Sequence, residues 1–301
     1  MSTTTLPALT PVKDAGVAAS LGRRRKRLDA LLRWFCIGAT ALALLFLASI
    51  LLTLVLRGLE GLSWATFTRE FQPTTYGDPE APTGGLLHAI IGSLIQTAIA
   101  TAVGTPIGLL VGTYLAEYAR GSLLGNAVRF VSDVLLSAPS ILIGLFIYQL
   151  VVLPMGGFSG IAGALALAII VIPVVVRTTE DMLQLLPNTL REAVVGLGAP
   201  KWKMITLVAY RAALPGIVTG ILLAVARIAG ETAPLLLTSF GNSVLSTDLA
   251  RSMASLPIAI YQQANSGFPD LIAIAWAGAL IVTAGVLILN IVARFAVRSR
   301  S

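Results

Sequence analysis

Long apolar stretches constrain this chain more than any motif it contains. A helix needs about 20 apolar residues to cross the hydrocarbon core of a bilayer. Six stretches of that order follow one another, roughly Trp34–Leu56, Leu86–Ala116, Val128–Leu153, Gly156–Val176, Pro215–Phe240 and Leu271–Phe295. Of the 301 residues 56% are apolar and 12% charged, whereas about a quarter are charged in a soluble domain. So few charges cannot cover a water-facing surface, and a water-soluble enzyme is excluded. The fold class is all-α: a polytopic membrane protein with six transmembrane helices.

Several chemistries fall away on residue counts. His88 is the only histidine and Cys36 the only cysteine, so neither an intrachain disulfide nor a Cys/His metal site can be built. The lysines are Lys13, Lys26, Lys201 and Lys203, preceded by Val, Arg, Pro and Trp. A phosphate-binding P-loop needs Gly before its Lys, so the chain has no ATPase site of that kind. No catalytic residue and no metal ligand is expected.

The basic residues set the orientation. With the N-terminus in the cytoplasm, that side holds the run Arg23–Arg27, Arg33, Arg120, Arg129, Arg177, Arg191, Lys201, Lys203, Arg211 and the C-terminal arginines. Only Arg57, Arg69 and Arg251 fall in outer loops, as the positive-inside rule requires of a multi-pass chain with both termini cytoplasmic. The basic charge is read as setting membrane orientation rather than binding nucleic acid, and the run Arg23–Arg27 has a second reading as an anionic-lipid or regulatory patch. The expected organisation is a disordered basic arm (1–30), a first span with its outer loop (31–85), a five-helix domain (86–295) and a short cytoplasmic tail (296–301).

Gly104, Gly108 and Gly112 repeat every fourth residue, a bare stripe on which another helix can pack closely. A substrate path along the same face is the alternative. Pro106 and Pro139 mark candidate kinks.

Between the fourth and fifth spans, at about 187–214, lies a cytoplasmic segment with helix signals of its own. Pro187 precedes it, Thr189 and Glu192 form a capping-box pair, and Leu190, Ala193, Val194 and Leu197 share one face. Gly198 supplies a stop, and a second, basic helix with Lys201, Trp202 and Lys203 is expected after Pro200. Such a helix is too small to fold alone and docks either on its own bundle or in a partner's groove.

Arg227 and Glu231 stand four apart in the fifth apolar stretch, where a charge costs about 2.5–3.5 kcal/mol on insertion scales. Two readings fit: a self-neutralising structural pair, or an anion site in a wet cavity with Glu231 moderating the Arg–anion contact. Gly230 and Pro234 loosen this helix and free Thr232 to face a cavity.

Glu192-Ala193-Val194, with Gly198 four residues later, resembles the EAA loop of ABC importer permeases, with Val194 where Ala is usual and a Leu-Pro only at Leu214-Pro215. The run Arg227-Ile-Ala-Gly-Glu-Thr-Ala-Pro-Leu-Leu-Leu237 is similar to the PstA-type permeases of phosphate ABC importers. So are Arg177-Thr-Thr-Glu-Asp-Met182, Gly198-Ala-Pro-Lys-Trp-Lys203, Ser246-Thr-Asp-Leu249 and Met253-Ala-Ser-Leu-Pro257. The resemblance implies a type I ABC importer permease in the inner membrane. It implies partners too: a PstC-like second permease, a PstB-like ATPase dimer holding ATP and Mg, and a PstS-like phosphate-binding protein outside. It implies ATPase coupling through Leu190, Glu192, Ala193, Val194, Leu197 and Gly198, and a phosphate path with Arg227, Glu231, Thr232 and Arg177. Left open are another oxyanion (sulfate, molybdate, phosphonate), an ion-driven transporter and a phosphate-signalling scaffold.

Overall fold

The computed structural model describes residues 15–72 and 84–298. The expectations for 1–14, for the loop acids Asp78 and Glu80, and for 299–301 lie outside the described residues. The elements are α1 (Ala15–Glu60), α2 (Trp64–Thr68), α3 (Leu87–Glu117) and α4 (Leu123–Ser137). Next, α5 (Ser140–Ile147) runs through a π turn at Tyr148–Val152 into α6 (Leu153–Met155). Then come α7 (Gly160–Gln184), α8 (Asn188–Gly196) and α9 (Lys201–Lys203), the last leading through a π turn at Met204–Ala209 into α10 (Tyr210–Ile228). The chain closes with α11 (Ala233–Thr238), α12 (Leu256–Ala264) and α13 (Pro269–Arg298).

Among the described residues five helices are long and apolar enough to cross a membrane, namely Leu28–Glu60, Leu87–Glu117, Gly160–Gln184, Lys201–Ile228 and Pro269–Val292. A sixth candidate is the bent pair α4 with α5–α6, at 104°, a broken span or a re-entrant loop. Pro139 causes the bend: it forces the preceding residue out of the helical region, and Ala138 is extended at ψ 137°. Pro106, by contrast, stays inside an unbroken α3.

Four expectations need correction. The arm expected to be disordered to residue 30 is helical from Ala15, because its Ala, Leu and Arg residues are helix formers continuous with the span. The fourth span is shifted to 160–184, since Gly156 takes a left-handed φ of 74° and ends the preceding helix. The fifth span occupies 201–228 rather than 215–240, carrying Pro215 inside it, and its first turns are the basic helix expected to be separate. Residues 296–298, assigned to the tail, continue α13.

Residues 1–53 and 54–301 form two units. In the first, every described side chain from Lys26 to Thr53 is exposed, as suits a lipid-facing helix. The second is built around α7. Its neighbour α3 runs parallel to it: a Cβ added at Gly104 would lie 3.0 Å from the Val171 Cβ, and one at Gly108 would lie 2.6 Å from the Val175 Cβ. At Gly112 the obstacle is the Val176 carbonyl, 2.6 Å away. The same face continues through buried Gly92, Gln96 and Ala100, so apart from Gln96 it is built of Gly and Ala.

α10 packs antiparallel on α7, with Gly216 against Met182 and Gly220 against Thr178. That register brings Arg227 to the level of Val171, and Ala224 and Ile228 share a core cluster with Ile170 and Val171. Arg227 is therefore at mid-depth although it belongs to the last turn of its helix.

The stretch 249–256 dips into the far end of the bundle. Arg251 and Leu249 carbonyls accept from the Gly160 and Ile161 amides (2.9 and 3.0 Å), capping α7. Gln96 Nε2 donates to the Ala254 carbonyl (3.1 Å), and the Leu256 amide donates to Ser93 Oγ (2.7 Å).

Candidate functional site

The helix of the fifth crossing, Lys201–Ile228, ends level with the middle of α7. Helical hydrogen bonding ends with the Ala229, Gly230 and Glu231 amides bonded to the Val225, Arg227 and Ile228 carbonyls (3.0, 3.3 and 3.2 Å), and the chain restarts as α11 with Pro234 at its second position. A flexible Gly followed by a Pro that cannot donate makes this a stable break. α11 is held by α5: a Cβ at Gly144 would lie 2.7 Å from the Pro234 Cα, and Ile143 and Leu235 join the same core cluster.

Arg227 and Glu231 flank this break. Arg227 Nε lies 3.7 Å from Glu231 Oε1, with 43% of the arginine side chain exposed and 17% of the glutamate's. The pair is loose and one-sided. A glutamate alone at that distance leaves most guanidinium donors unspent, whereas a buried structural arginine is normally satisfied from several sides. Thr232 is half-buried just beyond, its carbonyl accepting from the Leu236 amide (3.0 Å). Arg177 is not brought to this pair: it bonds Asp181 (Nε–Oδ2 3.3 Å, about half exposed) and stands six residues, roughly 9 Å, nearer the Gln184 end than the level of Arg227.

At the Gln184 end, α8 forms where the coupling helix was expected, with one correction. Pro187, extended at ψ 144°, is its N-cap, so Thr189 lies inside the helix and caps nothing. Gly198 takes φ 78° and stops it. Leu190 and Val194 turn toward the bundle, while Glu192, Ala193, Val195 and Leu197 are exposed, Leu197 at 88%. The predicted apolar stripe is thus split between a docked side and an open one.

Sequence reading missed two buried ion pairs at this end. Arg129 Nε donates to Glu180 Oε1 (2.7 Å), and Gln184 Nε2 donates to the same oxygen (2.8 Å). Arg191 Nη2 donates to Glu117 Oε1 (2.9 Å). The two carboxylates are each 3% exposed. A cleft of about 780 Å³ opens beside α8, lined among others by Glu117, Arg120, Arg191, Glu192 and Lys201. A charged residue near the end of each of two apolar helices, Glu117 and Glu180, was the available signal.

Comparison with known proteins follows the same outline. Residues 104–301 match the family described as binding-protein-dependent transport system inner membrane component. The chain is 51% identical over 256 residues to the phosphate transport system permease protein PstA of Pasteurella multocida, covering 85% of this chain and 89% of that one. It is 49% identical to the protein of the same name from Yersinia pestis over 83% of each. In fold it is similar to a chain of a bacterial ABC transporter involved in the import of the acidic polysaccharide alginate, with a TM-score of 0.65 at 16% identity over 93% of this chain and 99% of that one.

Proposed function

The chain belongs to the family of binding-protein-dependent transport system inner membrane components, and from that membership we propose that it is the permease subunit of an ATP-driven phosphate importer of the PstA type. Its relatives of about 50% identity are phosphate permeases. The observation that carries the substrate path is Arg227 at a mid-depth helix break, half exposed and held only loosely by Glu231.

The geometry suggests how the site works. Arg227 offers a planar fork matched to phosphate oxygens. Glu231 shields that charge when the site is empty and competes with the anion when it is full, which limits trapping. The C-terminal end of α10 adds its negative dipole end beside Arg227 and weakens anion binding further. Thr232 is the neutral donor of the set, and Arg177 is a second, separate anion contact on the way inward.

In this reading both termini are cytoplasmic, and so is α8. Its open face, with Glu192, Val195, Leu197 and the Gly198 turn, meets the ATPase dimer, which binds ATP and Mg and performs the hydrolysis. A PstC-like permease closes the cavity on the exposed side of Arg227, and a PstS-like binding protein delivers phosphate from outside. The chain itself carries no hydrolytic step.

Labelled phosphate uptake into vesicles holding the four components tests this, with ATP and excess sulfate or molybdate as variables. Uptake that needs ATP and the binding protein and resists both competitors is expected. Uptake without ATP, or uptake abolished by either competitor, overturns the assignment.

A further inference from the structure

α8 has nine residues and none is fully buried; Val194, half-buried against the cluster of Met204 and Ile205, gives it only a small apolar anchor. Its flanks, with Pro187 before it and Gly198 and Pro200 after, resist helical continuation. A push on such an element would dissipate in its own linkers unless something ties it to the spans.

Arg191 is that tie. Its Nε and Nη2 donate to Glu117 Oε1 (3.2 and 2.9 Å), Nη1 donates to the Leu186 carbonyl (2.6 Å), and Nη2 also reaches the Leu183 carbonyl. One guanidinium thus joins α8 to the last residue of α3 and to the carbonyls that end α7. The far side of the segment converges on the same residue: Lys201 Nζ donates to the Glu117 carbonyl and lies 4.2 Å over the Tyr118 ring. The arginine side chain is 12% exposed and the glutamate 3%, so the bond is shielded from screening by salt. A lysine at 191 could not reproduce it, because an ammonium has three donors on one point and cannot span acceptors on two helices.

We propose that Arg191 is a positioning residue for transport, clasping α8 through Glu117 to α3 and α7 so that motion of α8 moves the span helices. The proposal rests on the reading of α8 as the ATPase contact.

The test uses the complete importer in proteoliposomes, with phosphate uptake and ATP hydrolysis measured on the same vesicles for Arg191→Lys, Glu117→Gln and their combination. Arg120→Gln, which removes a charge beside the same cleft without touching Glu117 or Arg191, is the control. Phosphate moved per ATP falls about fivefold or more in each single variant, no further in the combination, and stays near the parent value in the control. Loss of the ATPase from both single variants, with the second permease retained, means that the bonds hold α8 in its fold rather than transmit its motion, and overturns the proposal. A ratio within about twofold of the parent in both, or a drop confined to complex yield, reduces the clasp to fold stability and overturns the proposal. A disulfide cross-link from Val195→Cys, in a Cys36→Ala background, to the ATPase separates the two levels. Without that cross-link the reading of α8 falls and the proposal with it; with it and an unchanged ratio, only the clasp falls.

Discussion

Replacing Gly108 by alanine is a direct test of how the α3–α7 core is held. The added Cβ would stand 2.6 Å from the Val175 Cβ and 2.8 Å from its Cγ1. Carbon atoms rest at about 3.5–4.0 Å, so the two helices must separate by roughly 1 Å along a stripe that is small for most of its length. Overpacking of this kind costs about 1–3 kcal/mol, offset by about 1 kcal/mol of improved helix propensity. The net loss is about 0–2 kcal/mol relative to the parent, and about 1–3 kcal/mol relative to a Gly→Ala change that meets no neighbour. Gly112→Ala should cost a similar amount, because its obstacles, the Val176 carbonyl at 2.6 Å and the Thr179 Cβ at 2.7 Å, are fixed by the backbone as the Val175 Cβ is. Gly38→Ala is the control, since nothing lies within 4 Å of its added Cβ. The assay is the thermal denaturation midpoint of the purified complex, where Gly108→Ala should lie several degrees below Gly38→Ala, about 2–4 °C per kcal/mol. Val175→Gly on the Gly108→Ala background removes the opposing Cβ, so the double variant should lose less than the sum of the two single variants. A midpoint for Gly108→Ala equal to that of Gly38→Ala, or strict additivity with Val175→Gly, would refute the close-packing argument.

Other outcomes follow from the same geometry. Arg129→Gln leaves the Glu180 carboxylate buried with only Gln184 for company, and should destabilise the complex by about 3–5 kcal/mol; thermal denaturation reads it. Gln96→Leu removes the donor to the Ala254 carbonyl and leaves that acceptor unpaired, costing about 1–3 kcal/mol. The same scan reads this loss, and proteolysis at the 249–256 stretch should accelerate with it. Leu197→Glu puts a charge on an 88% exposed residue, so permease stability should hold while co-purification of the ATPase collapses; retained ATPase would contradict the assigned face of α8.

The sequence made the crossings legible because each carries an apolar run whose length the bilayer dictates. The ends of α3 fall within one residue of the expected stretch, and Gly104, Gly108 and Gly112 announce their face by spacing alone. Where the helix ended and where the apolar run ended were different questions. Lys201, Lys203 and Arg211 made the start of the fifth crossing look aqueous, yet long basic side chains at a span end can reach water while the backbone stays helical. Gly230 and Pro234 were visible, and they end the helix rather than merely loosening it. The pairs Arg191–Glu117 and Arg129–Glu180 join residues 74 and 51 positions apart, and no local pattern encodes such a separation. The inward dip of 249–256 was hidden for a similar reason: its polar backbone reads as loop, and only the α7 amides it caps explain its place.

The central claim is that phosphate crosses past Arg227 at the mid-depth break. The most direct measurement is phosphate uptake by the reconstituted importer carrying Arg227→Ala, with assembly verified and ATP hydrolysis followed in parallel. The account predicts uptake lost by at least about tenfold, as for removal of a charge-assisted contact, with basal hydrolysis retained. Uptake equal to that of the parent complex would make Arg227–Glu231 a structural pair and place the phosphate path elsewhere.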